Sequence, residues 1–330
     1  MSYDVFGIEN PLIDLLVQVP DAFLQEMQLE KNRMFLIDET RHQELLQALD
    51  SYRVHPEPGG SCANTLLGIT QLGGTAAYCG KVGGDQYGRI YSNKLEEAGV
   101  TSFIQANEHL TGSTIILVTP DAARTMNTFL GACQDLGAED IPLDDLKKAK
   151  RLYLTGYLWD TDRQKEAALL ALKTAQQENI PVAMSLADPF CVNRHPEDFR
   201  DILSRYVDIV FSNQEEALAL TETDTTHEAL KRLRGWCNTA AITLGSSGAL
   251  VSRGNETIYL DSFPVHAEDT TGAGDAFAAG FLYGDTNGAS LFQSGRLGSY
   301  FAANVIQKVG PRLEGDVRTT LSPVLDDPRQ

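Results

Sequence analysis

The chain has 330 residues, 42% of them hydrophobic and 22% charged, which is sufficient for one large α/β domain or two smaller ones. Its formal net charge of −18 argues against nucleic acid or an anionic membrane surface as a partner. The five cysteines are scattered without a CxxC pair, so their spacing indicates neither a zinc site nor a disulfide framework. Neither a signal peptide nor an apolar run of membrane-spanning length is recognisable, and we therefore expect a cytoplasmic location.

The first 130 residues contain short strands and two helices. "YDVFGIE" and "MFLIDE" have strand-like apolar patterns, and "GGSCANTLLGITQLGG" predicts a helix between two glycine pairs. "TAAYCGKVG" then predicts a strand and "QYGRIYSNKLEEAGV" a helix. Three further strands, at "SFIQAN", "STIILVTP" and "RTMNTFLG", indicate a small antiparallel sheet. We expect a β lid from about residues 10–40 and 103–130, with the N-terminal strands taking part.

From about residue 150, short apolar strands alternate with helices, which predicts parallel βαβ units. "ALVSRGNETIYL" predicts a hairpin that turns at Gly254 and Asn255. The acidic segment after Pro311 is expected to be peripheral. The fold prediction is a single domain over residues 1–330, a three-layer α/β structure with a mainly parallel central sheet and a small β lid.

The stretch "EDTTGAGDAF", residues 268–277, lies directly before an apolar helical run. Gly272 and Gly274 allow a tight turn and a close approach of the backbone to a ligand. A helix N-terminus attracts anions through its free N–H groups and its dipole, yet Asp275 is itself an anion. A helix start suited to phosphate, with a carboxylate beside it, indicates catalysis. The chain has no GxxxxGK[ST], so this is not a Walker-type loop.

"DTTGAGDAFAAGF" is similar to the C-terminal signature of the PfkB family of carbohydrate and nucleoside kinases, and "GGSCANTLLGITQLGG" is similar to the N-terminal signature. The resemblance covers almost the whole chain and implies the ribokinase-like fold. It also implies that Asp275 is the catalytic base. The backbone amides of Gly272, Ala273 and Gly274 would form the anion hole for the transferred phosphoryl group.

Two motifs belong to the nucleotide side. "SNQEEA" places Asn213 and Glu216 where a strand passes into a helix, a pattern that alone indicates a helix cap and a first-turn acid. Beside the signature they resemble the family's NxxE motif, which orders Mg²⁺ and its waters near the phosphates. "TLGSSG" resembles the ATP loop, with Thr243 and Gly245 near the nucleotide and Gly248 serving the turn.

Arg124 follows the predicted turn "PDAA" in the lid. Because the chain is short of cations, a lid arginine could neutralise charge on the γ-phosphate when the lid closes. Arg124 aligns with a lid arginine of adenosine kinases. Many relatives are activated by a monovalent cation such as K⁺, and the resemblance implies that the loop at Asp269 and Thr271 would hold it.

The acceptor side is predicted at "ENPLIDL" and "PGGSCAN". Asp14 can accept hydrogen bonds from a diol, Asn64 can both donate and accept, and Gly59 and Gly60 let a sugar approach the backbone. From the residues alone, these would be a surface strand and a capped helix after a tight turn. The resemblance implies ribose binding through the vicinal hydroxyls.

The acceptor motif resembles that of the adenosine kinase branch more than that of ribokinase. The flat apolar nucleobase of such an acceptor would need a slot between side chains. The candidate walls of that slot are Leu16, Met34, Leu36, Tyr157 and Phe190. Met34 and Tyr157 depart from that branch. Asp188 adds a carboxylate that could cap the following segment or read an acceptor group.

Together these features predict Mg²⁺- and ATP-dependent phosphorylation of the 5′-hydroxyl of a ribonucleoside, with adenosine as the first candidate. A sugar kinase of the same family that acts on ribose or a similar free sugar is the alternative. A catalytically silent nucleotide-binding sensor is another, against which the intact Asp275, Asn213 and Glu216 argue. The expected partner is a small-molecule acceptor, and the chain could be a monomer or a homodimer.

Overall fold

Alternating strands and helices, typical of βαβ units, account for most of the chain. The structure is a computed structural model that describes residues 2–121, 123–308, 310–313 and 317. The described residues form fourteen strands, β1 to β14 in chain order: Val5–Ile8, Ile13–Gln18, Met34–Leu36, His55–Pro58, Ala76–Gly83, Thr101–Asn107, Ser113–Val118, Arg124–Phe129, Leu152–Thr155, Val182–Ser185, Ile209–Asn213, Thr239–Thr243, Ala249–Arg253 and Glu256–Leu260.

Twelve α-helices lie in the same described ranges, α1 to α12: Asp21–Glu26, Glu39–Ala48, Ser61–Gln71, Gln86–Glu97, Leu143–Leu146, Asp162–Gln177, Pro189–Arg194, Pro196–Arg205, Gln214–Thr221, Thr226–Trp236, Ala273–Thr286 and Leu291–Val305. Short 3₁₀ helices occur at Gly131–Asp135, Ala138–Asp140, Gly156–Trp159 and Gly245–Ser247. None of the described helices is both long enough and apolar enough to cross a bilayer.

The central sheet has nine strands in the described part of the chain, in the order β14, β13, β12, β11, β10, β9, β1, β5, β6. All neighbours from β12 to β6 are parallel, and only β13 and β14 are antiparallel additions at one edge. The predicted hairpin at Gly254 and Asn255 is therefore confirmed, and so is the mainly parallel sheet.

Helices cover both faces of the central sheet. Successive residues of a strand point to opposite faces, so neighbouring residues of one strand pack against helices on different sides. Tyr153 belongs to the core cluster that contains Phe277 and Phe301 of α11 and α12. Its neighbours Leu152 and Leu154 belong to the other cluster, with helices α6, α8 and α10. The predicted three-layer α/β fold is thus confirmed. All five cysteines are buried and free.

A second, small sheet has the strand order β3, β8, β7, β2, β4. Two expectations about it were wrong. The "SFIQAN" strand is β6, which pairs with β5 in the central sheet, and β1 also lies there. A strand that follows a helix is brought back parallel to the preceding strand, so β5, α4 and β6 form one more βαβ unit.

The small sheet is also mixed rather than antiparallel. β2 pairs with β7, and β3 with β8, in parallel, whereas β7–β8 and β2–β4 are antiparallel. β4, which the sequence analysis did not predict, pairs Glu57 with Asp14. This pairing brings the Gly59–Gly60 turn directly next to Asp14, at the point where α3 begins.

Candidate active site

The glycine-rich turn opens α11. Gly272 is the N-cap with φ +74°, and a Cβ atom there would lie 2.5 Å from Cβ of Pro311. Gly274 is different, since a Cβ atom there would meet nothing within 4 Å. The amide of Ala273 donates to the carbonyl of Thr270. The amides of Gly272, Gly274 and Asp275 have no backbone partner among the described residues, so these three, but not the predicted amide of Ala273, are open to an anion.

Asp275 is held by the first turn of α3. Ser61 Oγ donates to Asp275 Oδ1 at 2.5 Å, and Asn64 Nδ2 donates to Oδ2 at 2.9 Å. Burial raises the pKa of Asp275, while these two hydrogen bonds and the charge of Arg312 act in the opposite direction. The carboxyl group is therefore oriented before any substrate arrives. Sequence analysis did not include Ser61, although it directly follows the Gly59–Gly60 pair.

Asn64 has a different set of partners from the one that we expected. It was predicted to bind a ribose, but its amide NH₂ is on Asp275, and its Oδ1 accepts from Arg312 Nε at 2.9 Å. The expectation that the segment after Pro311 is peripheral is therefore wrong at Arg312. The N-termini of α3 and α11 face each other, and residues 310–313 run past both.

Asp14 lies on β2 against the Gly59 turn. A Cβ atom at Gly59 would approach the Asp14 carboxyl group to 2.4 Å, so any larger residue would displace that carboxyl group. Within the described residues, the Asp14 carboxyl group has no hydrogen-bond partner. Burial raises its pKa to about 7, against the lowering effect of Arg312 and Arg124. The Asp14 carboxyl group, which we predicted to bind the phosphoryl acceptor, is thus half-buried and has no hydrogen-bond partner among the described residues.

A second carboxyl group, missed by the sequence analysis, supports the start of α3. Glu9 is 1% exposed, Thr155 Oγ1 donates to its Oε1, and the amide of Cys62 donates to its Oε2 at 2.9 Å. Burial raises the pKa of Glu9 to about 8. Glu9 therefore fixes the turn of α3 that carries Ser61, and through Ser61 it helps to place Asp275.

Replacing Glu9 by Gln should change the pH dependence of stability more than stability near pH 4.5. A protonated Glu9 can accept from the Cys62 amide and donate to the Thr155 hydroxyl, which then acts as the acceptor, and Gln can do the same. Since the folded-state pKa of about 8 exceeds the ordinary value of 4.5, the wild type loses stability as pH rises from about 4.5 to 8. That loss is on the order of a few kcal/mol, and Glu9→Gln should lack it. Thermal unfolding from pH 5 to 9 measures this, with Glu96→Gln as an exposed control; parallel wild-type and Glu9→Gln curves would contradict it.

Arg124 and Asp269, predicted for different roles, form an ion pair. Arg124 Nη2 lies 2.7 Å from Asp269 Oδ2, and the Asp269 side chain is 6% exposed. The amides of Thr271 and Gly310 also donate to Asp269. Burial tends to raise the pKa of Asp269, but these bonds and Arg124 lower it overall. The small sheet is thereby tied to the loop that precedes the glycine-rich turn.

The NxxE residues lie at the carboxyl end of β11. Asn213 Oδ1 accepts from the Glu216 amide, and a Glu216 oxygen accepts from the Asn213 amide, so the pair forms a capping box. Burial, followed by the charges of Asp188 and Asp275, raises the pKa of Glu216 to about 7. Asn213 is in register with Thr243 on β12, which brings the two nucleotide motifs side by side.

The glycines of the predicted ATP loop have separate functions. Gly248 has φ +95°, and a Cβ atom there would lie 1.9 Å from the carbonyl oxygen of Leu260. This contact explains why the turn needs glycine. Gly245 has φ +58°, and a Cβ atom there would meet nothing within 4 Å. Its surroundings therefore leave room for a ligand.

The five candidate walls of the base slot come from both sheets. Leu16, Met34 and Leu36 lie on β2 and β3 of the small sheet, and Tyr157 and Phe190 belong to the short helices after β9 and β10. Of these five, only Leu36 lines a described cavity of about 390 Å³, beside Phe129 and Leu130. Arg33 stacks on Phe190 at 5.5 Å and so connects β3 with α7.

Asp188 caps α7, one of the two roles that the sequence analysis left open. Its Oδ1 accepts from the amide of Cys191 at 2.7 Å. Its Oδ2 is buried and has no hydrogen-bond partner in the described part of the chain. Burial, followed by the charge of Asp188, raises the pKa of Tyr157, so that hydroxyl stays neutral.

Known proteins are similar to this chain over most of its length. The pfkB family carbohydrate kinase profile matches residues 31–316. A probable sugar kinase from Rhizobium etli CFN 42 is 40% identical, with a TM-score of 0.91 over 98% of this chain and 99% of that one. An adenosine kinase from Sinorhizobium meliloti is also 40% identical, with a TM-score of 0.91 over 97% and 98%.

A more distant relative is the adenosine kinase of Saccharomyces cerevisiae, which is 29% identical over 94% of this chain and 97% of that protein. The profile spans four of the five strands of the small sheet, both glycine turns and α11, whereas β2 precedes it. The chain therefore belongs to the PfkB family of carbohydrate kinases and is a phosphotransferase that acts on a hydroxyl group of a nucleoside or a sugar.

Proposed function

We propose that this kinase transfers the γ-phosphoryl group of ATP to the 5′-hydroxyl of a ribonucleoside, with adenosine as the first candidate acceptor. The observation that carries the proposal is the placement of Asp275. Its carboxyl group is oriented by Ser61 and Asn64 at the start of a helix whose first free amides are its own and that of Gly274. Base and phosphoryl-binding amides therefore share one turn.

In the proposed reaction, the acceptor hydroxyl oxygen forms a bond to the γ-phosphorus while the bond between that phosphorus and the β–γ bridging oxygen breaks. The hydroxyl proton goes to Asp275, and ADP leaves with the electron pair of the broken bond. The amides of Gly274 and Asp275 would stabilise negative charge on the transferred group. Arg124, on β8, is suited to neutralise further charge if it exchanges Asp269 for phosphate.

The residues near β11 fit a hydrated magnesium ion. Glu216 is buried, and its pKa is raised to about 7 by burial and by three further carboxyl groups, so a cation there would relieve the concentration of negative charge. Magnesium prefers oxygen ligands and keeps several waters, which suits Glu216 and Asn213 as indirect partners. Mg²⁺ would supply charge neutralisation at the phosphates. K⁺ near Asp269 and Thr271 stays a prediction.

A panel of acceptors tests the proposed function directly. Coupled ADP release is measured with adenosine, other nucleosides, ribose and related free sugars, and the product is identified by mass spectrometry and ³¹P NMR. We expect a nucleoside 5′-monophosphate, and 5′-deoxyadenosine should bind without turnover because it lacks the reacting hydroxyl. Turnover of free sugars without nucleosides would replace the proposal by the sugar-kinase alternative, which the similarity to the R. etli protein favours.

Asp14 leads to a pH prediction for acceptor binding. Its pKa of about 7 means that the carboxylate that accepts the diol's hydrogen bonds is ionised above pH 7 and lost below it. KM for the nucleoside should therefore rise up to about tenfold per pH unit as pH falls below 7. Asp14→Asn should flatten this profile and raise KM at pH 8 by a factor of roughly 10–100, since hydrogen bonds to charged groups contribute about 1.5–3 kcal/mol. A pH-independent KM in the wild type would contradict the assignment.

A further inference from the structure

Residues 310–313 are held against the site by contacts at all four positions. The amide of Gly310 donates to Asp269 Oδ2 at 2.9 Å, and Pro311 lies against Gly272. The carbonyl of Leu313 accepts from Gln71 Nε2 at 2.6 Å, and Leu313 is 8% exposed. The C-terminal segment thus contacts both α3 and the glycine-rich turn. The remaining residue, Arg312, lies between these attachments.

The guanidinium group of Arg312 is only partly satisfied. Its Nε donates to Asn64 Oδ1 at 2.9 Å. Its Nη2 is buried and has no hydrogen-bond partner among residues 2–121, 123–308, 310–313 and 317. An unpaired buried donor on a charged group costs free energy, because it has lost its hydrogen bonds to water. A ligand oxygen that accepts from Nη2 would remove that cost.

Asp14 lacks a hydrogen-bond donor among the described residues, just as Arg312 Nη2 lacks an acceptor. Burial raises the pKa of both Asp14 and Asp275, and the charge of Arg312 offsets part of that rise in each. No ion pair within 4 Å joins Arg312 to either acid in the part of the chain that the structure describes. A carboxylate only accepts hydrogen bonds and a guanidinium only donates them. A hydroxyl group does both, so a diol between Asp14 and Arg312 would satisfy both side chains.

We propose that Arg312 is a specificity-determining residue of the acceptor site, which donates from Nη2 to an oxygen of the vicinal diol whose hydrogen Asp14 accepts. The inference rests on the proposed function, since the diol is that of a ribonucleoside. Arg312 also positions Asn64, which holds Asp275. Residues 310–313 would therefore contribute, together with Asp14 of the small sheet, to the selection of ribo- over deoxyribo-acceptors.

The test compares kcat/KM for adenosine, 2′-deoxyadenosine and 3′-deoxyadenosine in the wild type, Arg312→Gln and Arg312→Lys. The wild type should prefer adenosine over at least one deoxy analogue by about tenfold or more. Arg312→Gln should raise KM for adenosine about tenfold, leave KM for that analogue nearly unchanged, and so reduce the preference about tenfold. Arg312→Lys keeps the charge but loses the fork, so it should fall between them. Arg205→Gln, at an exposed arginine of α8, is the matched control.

Different results separate the ways in which the inference could fail. An equal loss of kcat for adenosine and both analogues, with the preference retained, would mean that Arg312 acts only through Asn64, and the proposal would be wrong. ATP binding, titrated in the absence of acceptor, reports whether the variants are folded; if Arg312→Gln does not fold, the Lys variant carries the comparison. If the wild type phosphorylates only free sugars, ribose and 2-deoxyribose replace the nucleosides, so failure of the proposed function is seen first and separately.

Discussion

Asp275→Asn is expected to lower kcat by about 10²–10⁴, the usual effect of losing a positioned general base. The structure indicates why the fold should survive. The new amide can accept from Asn64 Nδ2 through its oxygen, and its NH₂ can donate to Ser61 Oγ, whose hydroxyl rotates. Shape and packing are kept, but the side chain can no longer take the proton of the acceptor hydroxyl.

ATP affinity is the informative second measurement for this variant. The backbone amides of Gly274 and Asp275 are unchanged, and one negative charge beside the phosphates is removed, so Kd for ATP should stay the same or fall slightly. Ser61→Ala is the matched partner: it keeps the carboxylate but removes one of its two hydrogen bonds, and it should cost far less in kcat. If Asp275→Asn turned over within a few-fold of the wild type, the base would be another group.

The second large effect is expected at the two glycines of the turn, and it should differ in kind between them. Gly272→Ala places a Cβ atom at φ +74° and within 2.5 Å of Pro311. The left-handed backbone and the clash should each contribute roughly 1–3 kcal/mol of destabilisation. The clash would also displace residues 310–313, so acceptor KM should rise together with the loss of stability.

Gly274→Ala should instead preserve stability and impair catalysis. A Cβ atom there meets nothing within 4 Å, and Ala is favoured over Gly in a helix by up to about 1 kcal/mol. The same open space lies in front of the free amides, where the transferred phosphoryl group is proposed to bind. Thermal unfolding and ATP titration on both variants distinguish the two effects. Full activity of Gly274→Ala would place the phosphoryl group elsewhere, and an unchanged melting temperature for Gly272→Ala would contradict the turn geometry.

The parts of the fold that sequence analysis predicted correctly are those with local signals. The turn of the hairpin is indicated by two adjacent residues, Gly254 and Asn255. The alternation of strands and helices after residue 150 indicates parallel βαβ units. The errors concern strand partners. The pattern of β6 is that of a strand in either sheet, and its place beside β5 depends on the crossover through α4. Likewise, nothing local reveals that β2 pairs with β7 in parallel.

The residues of the candidate site also fall into those that local sequence indicates and those that only the tertiary structure brings together. Gly272, Gly274 and Asp275 lie within four residues, and Asn213 and Glu216 form a capping box over a single helical turn, so both motifs were recognisable from the chain alone. Asp188 was correctly considered as a cap for the same reason. In each of these motifs, the arrangement of the side chains depends only on the backbone of a few consecutive residues.

The contacts that orient the catalytic group come from distant segments. Ser61 and Asp275 are 214 residues apart, and Arg312 and Asn64 are 248 apart. Glu9 is an ordinary acid in sequence, and it acquires a raised pKa only because folding buries it between Thr155 and the start of α3. Hydrogen bonds and the interactions between charges depend on how far apart two groups lie in space, and not on their separation along the chain. The chemistry of the motifs is therefore readable from local sequence, whereas their support by Ser61, Glu9 and Arg312 follows only from the packing of α3, α11 and the C-terminal segment.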